Sequence, residues 1–426
     1  MAPSPSDCNE AVKNIFVYGN NPFNSNRNEI LTEMKLPNAD SPAFQLEMTG
    51  THAVWTDGGH LYAKSSRINE TYKAGFEGRI AQISANTKHC LVLTENGDLF
   101  RYHFNSKQTD CLELTEESAD SECEKITHIA CGNDISVAIT NRNAVFNIPQ
   151  PQPIFSFPRH VRIAQVVVGF AHCLVLTSNG EVYSWGSGAR GQLGNGIITP
   201  RQKLPQLVEA LAGVKIVHIA AGAWHSAAVS SFGDLYTWGC NDRGQLGIMD
   251  TVKRYGSQHG RIDSTLTPYF RPCWDSVPYD FNEAAFPLPQ LIELNDEVFL
   301  QKVFCGIYHT LAIDLKNEMY FSGVNLLPMY DYVQAADMYP EDLVGFKKLK
   351  IDPVPGRKLT VKSAAYSIIF MEPTAEDEAE PSKIVVKRRR AKVQSHTFSS
   401  FQLVVILLLA LLTAYALHNS FEWPYP

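Results

Sequence analysis

Five histidines stand at related places in this chain of 426 residues: His52, His89, His172, His225 and His309. An imidazole can ligate a metal or move a proton near neutral pH. A metal, however, needs three or four ligands within a few ångström. These five come singly, each at the head of its own apolar run. That spread reads as a set of buried structural imidazoles that satisfy backbone groups. The nine cysteines include no Cys-x-x-Cys. Cys90 and Cys173 directly follow a histidine of the set, while Cys131 and Cys305 directly precede a glycine. Small apolar strand positions explain those four, so the chain reads as reduced. Residues 186–196 are glycine-rich, but no Gly-Lys-Ser/Thr follows, and turn geometry replaces the phosphate-cradle reading. Neither Gly-x-Ser-x-Gly nor His-Glu-x-x-His occurs. With no nucleophile, acid–base pair or metal set at a recognisable spacing, the expectation is a protein that is not an enzyme and takes no cofactor.

The elements that carry the histidines repeat. Residues 166–194 and 219–247 say one thing twice. Gly169-Phe170-Ala171-His172 leads into the apolar run Cys173-Leu174-Val175-Leu176. Ser178-Asn179-Gly180 then supplies residues that a tight hairpin tolerates, and Val182-Tyr183-Ser184-Trp185 returns as the partner strand. In the second copy Gly222-Ala223-Trp224-His225 opens and Leu235-Tyr236-Thr237-Trp238 returns. One hairpin cannot bury both of its faces. Neighbours must stack on it, which means a propeller or a solenoid.

The pattern Gly-x-x-His, a turn, Tyr-x-Trp-Gly and Gly-Gln-Leu-Gly resembles the regulator of chromosome condensation repeat. The residues that carry the resemblance are His172, Trp185, Gly186, Gly191, Gln192, Leu193 and Gly194. Their counterparts are His225, Trp238, Gly239, Gly244, Gln245, Leu246 and Gly247, with His309 heading a third copy. In that family the repeat builds a seven-bladed β-propeller. The resemblance therefore implies an all-β fold, with these residues packing blades rather than binding a ligand. It also implies an alternative function, guanine-nucleotide exchange on a small GTPase, because the founding member of the family does this.

Weaker copies fill out the ring. The marks fall at 52, 89, 135, 172, 225, 309 and 366, with Ile135 and Tyr366 where histidine is expected. Ile15-Phe16-Val17-Tyr18-Gly19 looks like Tyr-x-Trp-Gly without its hairpin partner. It is expected to close the ring by pairing with residues 361–371, because full closure removes the open edge. The propeller is thus placed at 15–371.

The widest gap between marks, 225 to 309, holds an insertion from about 250 to 296. It is rich in proline and aromatics, including Tyr269, Phe270, Trp274, Tyr279 and Phe281. Either these rings pack on the propeller's own face, or the loop binds a partner.

Composition bounds the rest. Hydrophobic content of 45% and 24 prolines suit a packed β protein with many turns. A net charge of −7 gives no global positive field, so no nucleic acid is expected as a partner. Residues 372–397 form a charged linker, acidic and then basic, with Arg388, Arg389 and Arg390 at the centre of the basic cluster. Residues 401–417 carry no charge, proline or glycine. As a helix they would reach about 25 Å, the short end for a transmembrane span. Basic residues on the amino side predict that this side faces the cytosol. The short tail 418–426 makes the span a C-terminal anchor, placed in the endoplasmic reticulum ahead of the mitochondrial outer membrane. The sum is a membrane-anchored scaffold that presents a propeller to an unidentified protein partner in the cytosol.

Overall fold

The computed structural model describes most of residues 12–372. Outside the description lie 24–30, 38–40, 115–123, 249–284, 324–344 and 355–358, some isolated positions, and everything before 12 and after 372. The described chain forms seven antiparallel sheets of four strands each.

The chain starts with β1 (Val12–Gly19) and β2 (Leu31–Pro37), which belong to the last blade. Blade one is β3 (Gln45–Met48), β4 (His52–Thr56), β5 (His60–Ser65) and β6 (Thr71–Gly75). Blade two is β7 (Ile80–Ala85), β8 (His89–Thr94), β9 (Leu99–His103) and β10 (Thr109–Cys111). Blade three is β11 (Ile126–Cys131), β12 (Ser136–Thr140), β13 (Ala144–Ile148) and β14 (Pro153–Ser156). Blade four is β15 (Ile163–Val168), β16 (His172–Thr177), β17 (Val182–Gly188) and β18 (Thr199–Leu207). Blade five is β19 (Ile216–Ala221), β20 (His225–Ser230), β21 (Leu235–Cys240) and β22 (Ala285–Ile292). Blade six is β23 (Leu300–Cys305), β24 (His309–Asp314), β25 (Met319–Gly323) and β26 (Lys347–Leu349). Blade seven joins β27 (Thr360–Ser363) and β28 (Ser367–Met371) to β1 and β2, in the order β2-β1-β28-β27.

The marks at 52, 89, 172, 225 and 309 head the second strand of their blades, the mark at 135 directly precedes that of blade three, and Ser367 opens that of blade seven. Those strands read as continuous apolar runs rather than alternating ones, because a neighbouring blade covers each of their faces. All residues of β12, β16, β20, β24 and β28 are buried. The core is accordingly divided into slabs between blades. Ile135, Val145, Val175 and Trp185 fill the slab between blades three and four. Leu174, Val182, Ile219 and Trp238 fill the next.

Closure follows the expected pairing, with Phe16 opposite Phe370 and Val17 opposite Ile369. The N-terminus gives more than the one strand expected, since β2 adds the outer edge beyond β1. The insertion is also shorter at its far end than the sequence suggests. Residues 285–292 form β22 and pair with β21, with Phe286 opposite Gly239 and Leu291 opposite Tyr236. The proline-rich composition around Pro287 and Pro289 hid an edge strand, where missing N–H donors can face away from the ladder.

Strand direction sorts the connections. The turns from first to second strand and the loops from third to fourth strand share one face, here called the upper face. Among the described residues no helix is long and apolar enough to cross a membrane. The expected span at 401–417, the tail 418–426, Arg388, Arg389 and Arg390, and the linker beyond 372 lie outside the described residues.

Candidate interaction surface

The upper face is built from the glycine that opens each mark. In blades three to six Gly132, Gly169, Gly222 and Gly306 turn the chain where the next blade crowds in. A Cβ on Gly169 would meet the carbonyl oxygen of Gly222 at 2.1 Å and the His172 ring at 2.5 Å. No other residue fits there. Blade two has Asn86 at this place, and its side-chain amide donates to the Gly132 carbonyl at 2.7 Å.

His172, His225 and His309 are fully buried, and each reaches across to the following blade. His172 Nε2 meets Ser226 Oγ at 2.9 Å, and that hydroxyl donates to the Gln192 carbonyl at 2.8 Å. His225 Nε2 meets Thr310 Oγ1 at 3.0 Å, and Thr310 donates to the Gln245 carbonyl at 2.7 Å. A hydroxyl has one proton to give. Once it is given to the carbonyl, the imidazole must be the donor, so Nε2 carries the hydrogen and Nδ1 is bare. Neither Nδ1 has a hydrogen-bond partner, nor has that of His309. His309 Nε2 lies 2.9 Å from Ser363 Oγ in blade seven. Burial holds all three rings neutral: it lowers the pKa of His172 and His225 to about 3 and that of His309 to about 4. These histidines therefore bond the hydroxyl of the next blade, and not the backbone directly as the sequence suggested.

The Gly-Gln-Leu-Gly loops are what the relays hold. Gln192 and Gln245 are buried, and so are Leu193 and Leu246. Gly191, Gly194, Gly244 and Gly247 all take positive φ, from 73° to 76°. Gly186 and Gly239 do so at 105° and 104°. Each loop is strapped to its own blade by Ser184 Oγ to the Leu193 carbonyl at 2.7 Å and Thr237 Oγ1 to the Leu246 carbonyl at 2.8 Å. Trp238 Nε1 adds a second bond from blade five to the Gln192 carbonyl, at 2.9 Å.

Blades one and two do this differently. His52 stacks on Phe104 with ring centroids 4.2 Å apart. His89 Nε2 lies 3.5 Å from Cys131 Sγ in blade three. Burial first, then the charges of Arg101, His103 and Lys88, lower the His89 pKa to about 4. The described cysteines are all free, and burial raises the thiols of Cys131, Cys240 and Cys305 to about 12. Among the described residues no group of three or more His, Cys, Asp or Glu could hold a metal ion.

A second set of joints went unnoticed in the sequence. Gln165 spans to blade five with its amide, donating to the Ile219 carbonyl at 2.9 Å and accepting from Ile219 N at 3.0 Å. Gln82 does the same to Ile129 at 3.0 and 3.1 Å. Gln45 donates to the Ala81 carbonyl at 2.7 Å and accepts from Ile83 N at 3.0 Å. The signal was there: each glutamine stands four residues before the residue that opens its mark.

On the outer side of the mark turns lies a ledge of rings and guanidiniums. Phe170 and Trp224, from blades four and five, have centroids 5.1 Å apart. Arg190, from the loop of blade four, sits 5.1 Å from the Trp224 ring. Arg243, from the loop of blade five, sits 5.8 Å from the Tyr308 ring of blade six. The three rings are half-buried and Arg243 is exposed. The undescribed stretch 249–284, with Tyr269, Phe270, Trp274, Tyr279 and Phe281, leaves and rejoins the described chain in the same loop of blade five.

The repeat described by this geometry has a match. A family model described as "Regulator of chromosome condensation (RCC1) repeat" matches residues 179–229 and 233–313, and a second model of that description matches 163–192 and 216–245. Residues 163–313 of this propeller carry the RCC1 repeat. Among curated relatives, the human RCC1 domain-containing protein 1 is 35% identical over 171 residues, 38% of this chain and 45% of that one. The Arabidopsis thaliana ultraviolet-B receptor UVR8 is 47% identical over 185 residues, 39% of this chain and 42% of that one. The chain thus spans less than half the length of these two relatives. Among solved structures, Prp20p of Saccharomyces cerevisiae superposes with a TM-score of 0.59 at 18% identity, over 87% of this chain and 93% of that one. Human WBSCR16 gives 0.55 at 15% identity, over 84% and 100%. The two structures bear on the fold alone.

Proposed function

We propose that this RCC1-repeat propeller is a protein-interaction platform that binds its partner on the upper face and is held to a membrane by residues 401–417. The observation that carries the binding half is the ledge of Phe170, Trp224 and Tyr308 overlaid by Arg190 and Arg243. Half-buried aromatics and arginines are the residue types that anchor protein interfaces. Here they project from a frame whose histidines are locked as neutral donors, a frame suited to holding a surface rather than to moving protons. The anchor half rests on the uncharged run itself and on the basic cluster before it.

The test is capture of tagged full-length chain from detergent extracts beside an Arg190→Glu/Arg243→Glu pair. Partners lost from the pair but kept by a chain lacking 250–284 assign binding to the ledge. Partners kept by the pair and lost with the segment move it to the insertion. Fractionation with and without 398–426 tests the anchor separately; a chain that stays in the aqueous phase with its tail intact removes it.

A second reading is guanine-nucleotide exchange on a small GTPase. It is supported by the likeness to Prp20p, whose structure was reported with its binding to Gsp1p and histones. An exchange factor works by favouring the nucleotide-free state of its partner, so it needs a shaped face and no nucleophile. Nucleotide release from a GTPase panel decides it.

A further inference from the structure

Between blades three and four the repeat lacks a part. One junction later, Trp238 Nε1 donates to the Gln192 carbonyl, which the long loop of blade four carries across. Trp185 holds the same place one blade earlier, since Cys173 pairs with Trp185 as Ser226 pairs with Trp238. Blade three has no such loop. Only four residues, 149–152, separate β13 from β14. Trp185 is 1% exposed, yet its Nε1 has no hydrogen-bond partner among the described residues, and neither has Asn147 Oδ1. Both line a cavity of about 440 Å³ with Ile135, Ile154, Arg201 and Lys203. That volume falls in the range of ligand pockets, about 300–1,000 Å³.

The chemistry of the walls is specific. A buried indole N–H wants an acceptor and a buried amide oxygen wants a donor, and leaving them unmet destabilises the empty state. A peptide unit offers both. Ile135 stands where other blades place histidine, so the floor is apolar. Arg201 and Lys203 are exposed on β18, and neither forms an ion pair among the described residues.

The geometry points to a slot for an extended acidic peptide of a partner protein, which takes the place of the missing loop. One backbone carbonyl accepts from Trp185 Nε1 and one backbone N–H donates to Asn147 Oδ1. An aliphatic side chain packs on Ile135 and Ile154, and carboxylates meet Arg201 and Lys203. This rests on the platform reading but uses none of the ledge residues, so its failure leaves that reading standing.

The full chain labelled with 5-fluorotryptophan tests it. Trp185→Phe keeps the ring packing and identifies the Trp185 signal by its loss. The probe is the peptide acetyl-Glu-Gly-Gln-Leu-Gly-Glu-amide, which copies the loop of blade four between acidic ends. Saturable movement of the Trp185 signal is expected, with Trp238 unmoved and affinity at least tenfold weaker in Arg201→Glu/Lys203→Glu. A Trp185 signal that stays still up to millimolar peptide overturns the slot. Equal affinity for the same peptide with lysine at both ends overturns its acidic preference. Movement of the Trp185 signal on deleting 250–284, with no peptide added, assigns the slot to this chain's own segment and overturns the partner.

Discussion

Blades four to six and blades one to three form the same four-stranded sheets but join to their neighbours by different means. At the junctions of blades four with five and five with six, a long loop crosses to the next blade and a buried His–hydroxyl–carbonyl relay holds it there, while His309 of blade six meets Ser363 of blade seven. In the second group the loops are short, no carbonyl arrives, and the histidine positions turn to other uses: His52 stacks on Phe104, His89 meets Cys131, and Ile135 drops the imidazole altogether. The residue after the mark changes in step. It is Ser226 or Thr310 where a loop is held and Ala53, Cys90 or Cys173 in three other blades, while Ser136 of blade three keeps a hydroxyl but turns it to Cys131 and the Gly132 carbonyl. The lesson is that the histidine of this repeat is part of a joint. It is kept neutral because it has one task, which is to donate to a hydroxyl whose own proton is already committed.

The largest effect should come from acid. The relay histidines have folded pKa values of about 3, 3 and 4, against an ordinary value near 6.5. Between those limits the unfolded chain binds more protons than the folded one. Stability is therefore complete above about pH 6.5 and falls as the pH drops toward 4, by about 1.4 kcal/mol per pH unit for each histidine. Denaturant titrations between pH 7 and 4.5 should show that slope, and His225→Gln should lower it by about one proton. An unchanged slope would mean the relays are charged, and the comparison between the two groups of blades would lose its basis.

Next in size is Thr310→Val. It strands both the His225 Nε2 hydrogen and the Gln245 carbonyl, at roughly 2–4 kcal/mol for two buried orphans. The midpoint of urea unfolding reads it directly. Trp238→Phe against Trp185→Phe sharpens the contrast further. The first removes a real bond to Gln192 and should cost about 1–3 kcal/mol; the second removes an N–H that bonds nothing in the described chain and should cost less by at least about 1 kcal/mol. Equal losses would show that the two junctions are alike after all. Smallest is Gln165→Leu, which frees two Ile219 backbone groups beside the axis and should cost about 1–2 kcal/mol, as should Gln82→Leu at a junction of the other kind. A much larger loss at one of them would show that the glutamine clamps do not serve the two groups equally.

Much of the ring was legible because its second strands are covered on both sides. An apolar run of four to six residues behind such a mark has few other readings, so even the weak copies at His52, His89 and Ile135, the last without the imidazole, mark real blades. The sequence also pointed to the pairing of 15–19 with 361–371. It missed what depends on an edge or on a neighbour. The strand 285–292 reads as a proline-rich loop because an outer strand needs only one set of ladder bonds. The clamps of Gln45, Gln82 and Gln165 look like ordinary surface glutamines until the adjacent blade is placed beside them. The same holds for Trp185 and Trp238, alike in sequence context, of which Trp238 finds a carbonyl and Trp185 no hydrogen-bond partner among the described residues.

The pairing of β1 with β28 has a consequence for how this protein is made. Phe16 meets Phe370, so the 353 residues between them must emerge from the ribosome before the two strands can zip. Until then β1 and β2 wait as an uncapped hairpin, and β3 to β26 form a stack that stays open at both ends. Such edges recruit foreign strands, and distant pairing is slow to form. Nascent chains stalled before Ser367 should therefore depend on chaperones far more than the released protein does.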